Sequence, residues 1–396
     1  MKRILIVAAA AGSLCIVSAQ AQQPAATAQA RCEALTAKEP IAKPDRPAAL
    51  EACTAAQAAA SDDARLLLLK GKALFWSEKD AEARAAYTAA SERGSAEALH
   101  ELGVLHHWGY GVAEDRAQAA NFYKRSLDAG YMPAAATLGG LYRDGAGVPK
   151  DLPAAVSYFR RATEAGLSAG EVGLGHLYEN GLGVKADLTR AVALYRSAAG
   201  KGDPSAQFNM GVLSGAGRGM RKDLAEAARW YRLAVDGGNA NAMFNLAIAH
   251  QQGLGVPKDA AAAEALLRKA VEAGDEVDAP NSLAYLYARE NRNVLEAAKL
   301  AEGALKAAPD NAAVLDTVAL IRMRQNRLTE AALLMRKSVA LEPTPIHHMR
   351  LGDIYAAMGL KADARDQWRR ALNAKEKPGS EVEVTPEELR RKLAAD

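Results

Sequence analysis

Two glycines separated by one residue recur five times at a fixed interval. Gly109-Tyr110-Gly111-Val112 returns as Gly145-Ala146-Gly147-Val148, Gly181-Leu182-Gly183-Val184, Gly217-Arg218-Gly219-Met220 and Gly253-Leu254-Gly255-Val256, each step being 36 residues. Seven residues upstream stand Leu102-Gly103, Leu138-Gly139, Leu174-Gly175, Met210-Gly211 and Leu246-Ala247. Six residues after each first glycine comes an aspartate: Asp115, Asp151, Asp187, Asp223 and Asp259. A closing glycine follows at Gly130, Gly166, Gly202, Gly238 and Gly274. A unit that repeats at a fixed period cannot bury its apolar face alone, and it gains a core only by stacking on its neighbours.

Each position has a mechanical reason. The G-x-G pair ends one helix and supplies positive φ for a tight turn. The aspartate then accepts from the free N–H groups that open a second helix. Gln118 and Glu226, three places beyond two of these aspartates, fit a capping box. Pro153 falls in the first turn of its helix, where proline is tolerated. Apolar residues follow at helical spacing, as in Tyr123 with Leu127 and Tyr195 with Ala199. The glycine of each Leu-Gly pair removes a side chain where two helices press together.

Composition agrees with this reading. Alanine supplies 90 of the 396 residues and aromatics only 5%. Alanine loses little entropy in a helix and lets helices approach closely. Period-two runs of β-branched residues are missing, which excludes a sandwich or barrel. A net charge of +3 lacks the basic surplus of a nucleic-acid binder. The expectation is an all-α chain, an α/α solenoid wound as a right-handed superhelix of helix–turn–helix repeats.

Residues 1–21 read as a cleaved signal peptide: Lys2 and Arg3, an apolar stretch from Ile4 to Val17, then Ala19-Gln20-Ala21 as an A-x-A site. Removing them takes away two positive charges and leaves +1. The bulky Leu14 before Cys15 argues against a lipoprotein signal, and the apolar run is too short for a membrane span. The expected location is periplasmic or secreted. Cys32 and Cys53 then remain, an even number for an oxidising space. Closing their loop of about 22 residues is worth roughly 3 kcal/mol in the chain-entropy model. Residues 22–62 are expected to be a flexible leader holding this disulfide loop, since Pro40, Pro44 and Pro47 interrupt it.

The 36-residue unit resembles the SLR (Sel-one-like) repeat, a relative of the tetratricopeptide repeat with the pattern A-x3-LG-x-LY-x2-G-x-GV-x2-D-x3-A-x2-(W/Y). The copy from Ala134 to Tyr158 matches nearly throughout: Leu138-Gly139, Leu141-Tyr142, Gly145, Gly147-Val148, Asp151 and Ala155. Elsewhere His106, Ser214 and His250 replace the tyrosine, Ala247 a glycine and Met220 the valine. Five such repeats span 94–275. Residues 63–93 read as a degenerate tetratricopeptide-like helix pair. Three tetratricopeptide-like repeats occupy 279–378, where Pro309 and Pro343, and likewise Glu296 and Glu330, stand 34 apart. Residues 379–396 are expected to hold a capping helix, with Thr385, Pro386 and Glu388 as its start signal.

Motifs for chemistry fail on context. Gly166-Leu167-Ser168-Ala169-Gly170 fits the G-x-S-x-G elbow, but its first glycine closes a repeat and both flanks are helical. The adjacent pairs His106-His107 and His347-His348 point about 100° apart on a helix, and no H-x3-H or carboxylate completes a site, so no metal is expected. The G-x-G turns lack a third glycine and a preceding strand, so no phosphate loop is expected either. No serine begins an S-x-x-K, and the cysteine pair per repeat found in β-lactam-linked relatives is missing. No cofactor or catalytic residue is expected.

What the resemblance implies is a groove. Aligned on the tetratricopeptide frame, the inward positions of the first helices are His100 and His107, Ala136 and Arg143, Val172 and Glu179, Phe208 and Gly215, and Phe244 and Gln251. The expected partner-binding set is His100, His107, Arg143, Glu179, Phe208, Phe244 and Gln251. The resemblance implies a non-enzymatic scaffold for a protein or peptide partner; the alternative is a glycan-binding component of polysaccharide export or cell-wall maintenance.

Overall fold

The structure, a computed structural model, describes residues 26–38, 40–374 and 384–394. Those residues form twenty-one α-helices and no strand, and successive helices pack as pairs. The chain is an α/α solenoid. The expected signal peptide lies outside the described residues. Two compact units divide the chain, the first ending at Trp230 and the second beginning at Tyr231.

The first unit opens with α1 (Ala26–Thr36), α2 (Arg46–Ala59), α3 (Ala64–Trp76) and α4 (Asp80–Glu92). The pairs α5 (Ala96–Trp108) with α6 (Arg116–Asp128), α7 (Pro133–Asp144) with α8 (Leu152–Glu164), and α9 (Ser168–Asn180) with α10 (Leu188–Gly200) follow. Next come α11 (Pro204–Ala216) and α12 (Leu224–Asp236), inside which the unit boundary falls. The second unit continues with α13 (Ala240–Gln252) and α14 (Ala260–Glu272). Its later pairs are α15 (Asp278–Glu290) with α16 (Val294–Ala307), α17 (Ala312–Arg324) with α18 (Leu328–Leu341), and α19 (Pro345–Ala357) with α20 (Lys361–Asn373). It closes with α21 (Pro386–Ala394).

The repeat's turn is built as its sequence predicts. Gly109, Gly145, Gly181, Gly217 and Gly253 end the first helices in the left-handed region. Asp115, Asp151, Asp187, Asp223 and Asp259 each accept from the N–H three residues on, at 2.8–3.0 Å. The same aspartates donate their own N–H to the carbonyls of His106, Tyr142, Tyr178, Ser214 and His250. That bond uses a carbonyl and no side chain, so histidine and serine can stand where the family pattern has tyrosine. The Glu226 side chain accepts from Trp230 Nε1 at 3.3 Å, a use the capping-box expectation did not foresee.

Two glycines show why the pattern admits no side chain. A Cβ on Gly139 would lie 2.8 Å from the Phe159 ring, so the Leu-Gly glycine is the seat for the aromatic of the second helix. Gly147 has φ +74°, and a Cβ there would lie 2.1 Å from the Arg116 carbonyl oxygen. Gly111, Gly183 and Gly219 approach Asp80, Leu152 and Leu188 in the same way, so the second glycine packs these turns onto the preceding repeat.

The N-terminal expectation needs correction. Within 22–62 the described residues form α1, a short 3-10 turn at Lys43–Asp45 and α2, not a flexible leader. Pro44 sits in that turn and Pro47 in the first turn of α2, where a missing N–H costs nothing. Cys32 and Cys53 are joined by a disulfide. Both are fully buried with Ile41, Ala49 and Ala56 against Leu66, Ala73 and Trp76 of α3.

At the far end Thr385 Oγ1 accepts from the Glu388 N–H, as the start signal predicts. Leu389 packs with Trp368, and Lys392 pairs with Asp353 at 2.9 Å.

Candidate interaction face

The expected groove positions are half-buried in every case but one. His100 is 9% exposed. Its Nε2 lies 3.2 Å from Thr137 Oγ1 of the next repeat and its ring 5.0 Å from that of Tyr123. It is a packed junction between repeats. Glu179 is also committed: it accepts from Tyr195 Oη at 2.9 Å and pairs with Arg218 at 2.9 Å. Arg218 is the middle residue of the next G-x-G turn, and Tyr110 of an earlier turn meets Phe75 in the same way, with ring centroids 5.4 Å apart. The middle residue thus reaches back to the preceding first helix.

Arg143 is held in place with its guanidinium in view. It donates twice to neighbouring Asp144, both at 2.7 Å. That bond holds the Asp144 carboxyl below the usual carboxylate range. His176, on the next first helix, has its pKa lowered by burial and then by the charge of Arg143. Burial likewise lowers His107, with Arg116 adding to the effect. The His107 ring stands 4.6 Å from that of Trp108. Three ring nitrogens here, His107 Nδ1, Trp108 Nε1 and His176 Nδ1, are shut off from solvent with no hydrogen-bond partner among the described residues. Beside Thr137 and Arg143, Gly140 faces open space: a Cβ there would meet nothing within 4 Å. Phe208 is half-buried on α11. In the second unit Gln251 is half-buried and Phe244 packs against the cluster around Leu267 and Leu283.

The second unit holds a feature the sequence reading passed over. Asp316 on α17 and Arg350 on α19 form a buried ion pair, 8% and 9% exposed. Arg350 also lies 5.5 Å over the Tyr285 ring of α15. The signal was present, because Asp316 and Arg350 stand one 34-residue period apart, like Pro309 and Pro343.

The hydrolase-like motif resolves into packing. Ser168 begins α9 and is buried, and a Cβ on Gly170 would lie 2.6 Å from Ala162 of α8. Among the described residues no three His, Cys, Asp or Glu side chains are grouped to hold a metal, and no helix is long and apolar enough to cross a membrane.

Stacked helix pairs with glycine turns, capped second helices and a polar first-helix face define a helical-repeat protein of the tetratricopeptide-like class, a class commonly used as a protein-interaction scaffold. More particularly, five Sel1 repeats are matched, at residues 96–131, 133–167, 168–203, 204–239 and 240–275. Among solved structures it is similar to a protective antigen of uropathogenic Escherichia coli strains that displays an SLR fold. The identity is 27% and the TM-score 0.58, over 82% of this chain and 71% of that one. A Sel1 repeat protein from Oxalobacter formigenes is 29% identical with a TM-score of 0.54, over 61% of this chain and 99% of that one. No curated protein matches the sequence.

Proposed function

We propose that this chain is a non-enzymatic scaffold of the bacterial periplasm that holds a protein or peptide partner on the first-helix face of its Sel1 repeats. One observation carries the reading. Arg143, anchored to Asp144 and part-exposed, stands one helical turn from Gly140, where a Cβ would meet nothing within 4 Å, and His176 of the next first helix feels its charge. The groups stand on helices fixed by packed turns, so little order is lost on binding. His100 and Glu179 support this face from behind, and Phe208 extends it; in the second unit Phe244 and Gln251 hold the corresponding repeat positions. The signal-like sequence expected at residues 1–21 and the Cys32–Cys53 bond support the location, since disulfides persist in oxidising compartments.

The test is capture from a periplasmic extract by the mature chain and by Arg143→Glu combined with His107→Glu. Arg160→Glu, at an exposed position of α8, is the control. Lys124 is a poorer control because its ammonium sits 5.5 Å over the Tyr142 ring. Capture should be lost in the double variant, kept in the control, and weakened in high salt. Capture by the double variant equal to wild type contradicts the proposal. Retention of glycans alone on an array would favour the export or cell-wall role instead.

A further inference from the structure

Gly140 is a glycine that the fold does not ask for. Its neighbour Gly139 seats the Phe159 ring, where a Cβ would lie 2.8 Å away. Gly140 itself sits half-buried in the interior of α7 without a positive φ, and a Cβ there would meet nothing within 4 Å. Glycine is unfavourable inside a helix, so neither conformation nor packing accounts for it. The equivalent positions of α5, α9 and α11, at 36-residue steps, hold Val104, His176 and Val212. Gly140 thus leaves a notch one side chain deep in the first-helix face of the first unit. Helical side chains lean toward the N-terminus of their helix, so Arg143 and Asp144, one turn further on, lean toward this notch. His176 borders it from α9, which packs on α7, and feels the charges of both. Toward the preceding repeat stands Val104, packed against the cluster that holds Leu138 and Leu141.

The charges around the notch cancel in pairs. Arg143 donates twice to Asp144, both at 2.7 Å, and Glu179 pairs with Arg218 at 2.9 Å. An entering carboxylate would meet Asp144 and Glu179, and an ammonium would meet Arg143, so charge favours neither. The fitting occupant is an uncharged side chain. An aromatic ring gains most, because its flat face can lie on a glycine and against a guanidinium plane. Two bonds to one carboxylate fix that plane, and the Arg143 side chain keeps 30% of its surface exposed. The chain already uses such a contact, since the Arg190 guanidinium stands 5.4 Å over the Tyr178 ring. We infer that the notch at Gly140 takes an aromatic side chain of the bound peptide, its ring between Val104 and His176 and its face against Arg143. This inference rests on the peptide-binding reading above and names the anchor that reading lacks.

The experiment selects peptides for the full mature chain from a phage-displayed random dodecapeptide library. A selected peptide is then measured by calorimetry beside an analogue with cyclohexylalanine, a ring of similar bulk without a π face, in place of its aromatic residue. Selected peptides should share an aromatic, and cyclohexylalanine should weaken binding about fourfold, the range of an exposed cation–π contact. In Arg143→Gln the two peptides should bind within about twofold of each other. Gly140→Leu fills the notch without a clash, so its melting temperature should equal or exceed that of wild type, while binding of the aromatic peptide weakens about tenfold or more. The comparison of peptide and analogue on the wild-type chain needs no variant, and it decides the question should Gly140→Leu unfold. Peptides without a shared aromatic, equal binding of peptide and analogue by wild type, or undiminished binding by Gly140→Leu overturn this inference and leave the peptide-binding reading standing. Selection of no peptide at all overturns both.

Discussion

In the 36-residue repeats the first helix ends on a glycine, as at Gly145 with φ +75°, and a second glycine two residues on is pressed against the preceding repeat. In the 34-residue repeats the corresponding turns use Asn291, Asn293 and Asn326 in the same left-handed region, with Gly359 in the last. Asparagine tolerates that conformation because its short polar side chain does not clash there. The longer loop thus interlocks repeats through backbone sterics. The shorter-loop region has, among its described residues, no such glycine interlock and uses side-chain pairs such as Asp316 with Arg350, Glu302 with Arg322 at 2.7 Å, and Asp310 with Lys337 at 2.8 Å, as Glu179 with Arg218 does in the longer repeats. Two solutions to one stacking problem should respond differently to substitution and to pH.

The largest effect should come from filling the interlock. Gly147→Val combines a β-branched residue at positive φ with a clash against backbone, so it should cost more than about 3 kcal/mol in denaturant unfolding. Asn326→Ala, which meets only the conformational problem, should cost about 1 kcal/mol. Equal costs would erase the distinction between the two turns.

Removing the N-terminal bond should come next. The Cys32→Ser, Cys53→Ser double variant should lose about 3 kcal/mol in the chain-entropy model, with the loss confined to α1 and α2. The mature protein, denatured without reductant, should show no free thiol; two titratable thiols would contradict the bond.

Acid should loosen the regions in sequence, with smaller effects. Burial lowers the pKa of His106, His107 and His176 below 6.5. A group that prefers to be neutral when folded contributes stability above its unfolded pKa, and that contribution declines as pH falls below 6.5. Glu264 is held at about 2 by hydrogen bonds from Arg292 and Tyr287, well below its ordinary 4.5. Its contribution is present above 4.5 and is lost as pH falls toward 2. Hydrogen exchange should therefore quicken around α5 and α9 between pH 7 and 5.5, and around α14 and α15 only below 4.5. Glu264→Gln should remove the second step.

Much of this was legible in the sequence because the information is local and repeated. Gly109, Asp115 and Gly130 each act within a few residues of their own position, so spacing alone identifies turn, cap and exit. Helix α1 was not legible: its Ala- and Gln-rich sequence has no strong apolar period, and only burial beside Cys53 and Trp76 shows that the segment packs. Nor was the commitment of Glu179 legible, since its partner Arg218 comes from the next turn and no local rule links residues so far apart. Asp316 and Arg350 lie between these cases, hidden only because the period was not followed through the charged residues.

The central claim is that the first-helix face binds and the second-helix face does not. Hydrogen exchange read by mass spectrometry on the mature chain, with and without its captured partner, tests this most directly. Protection should rise in α5, α7 and α9, greatest around His107 and Arg143, while α6, α8 and α10 stay unchanged. Protection confined to α6, α8 and α10 would contradict the account.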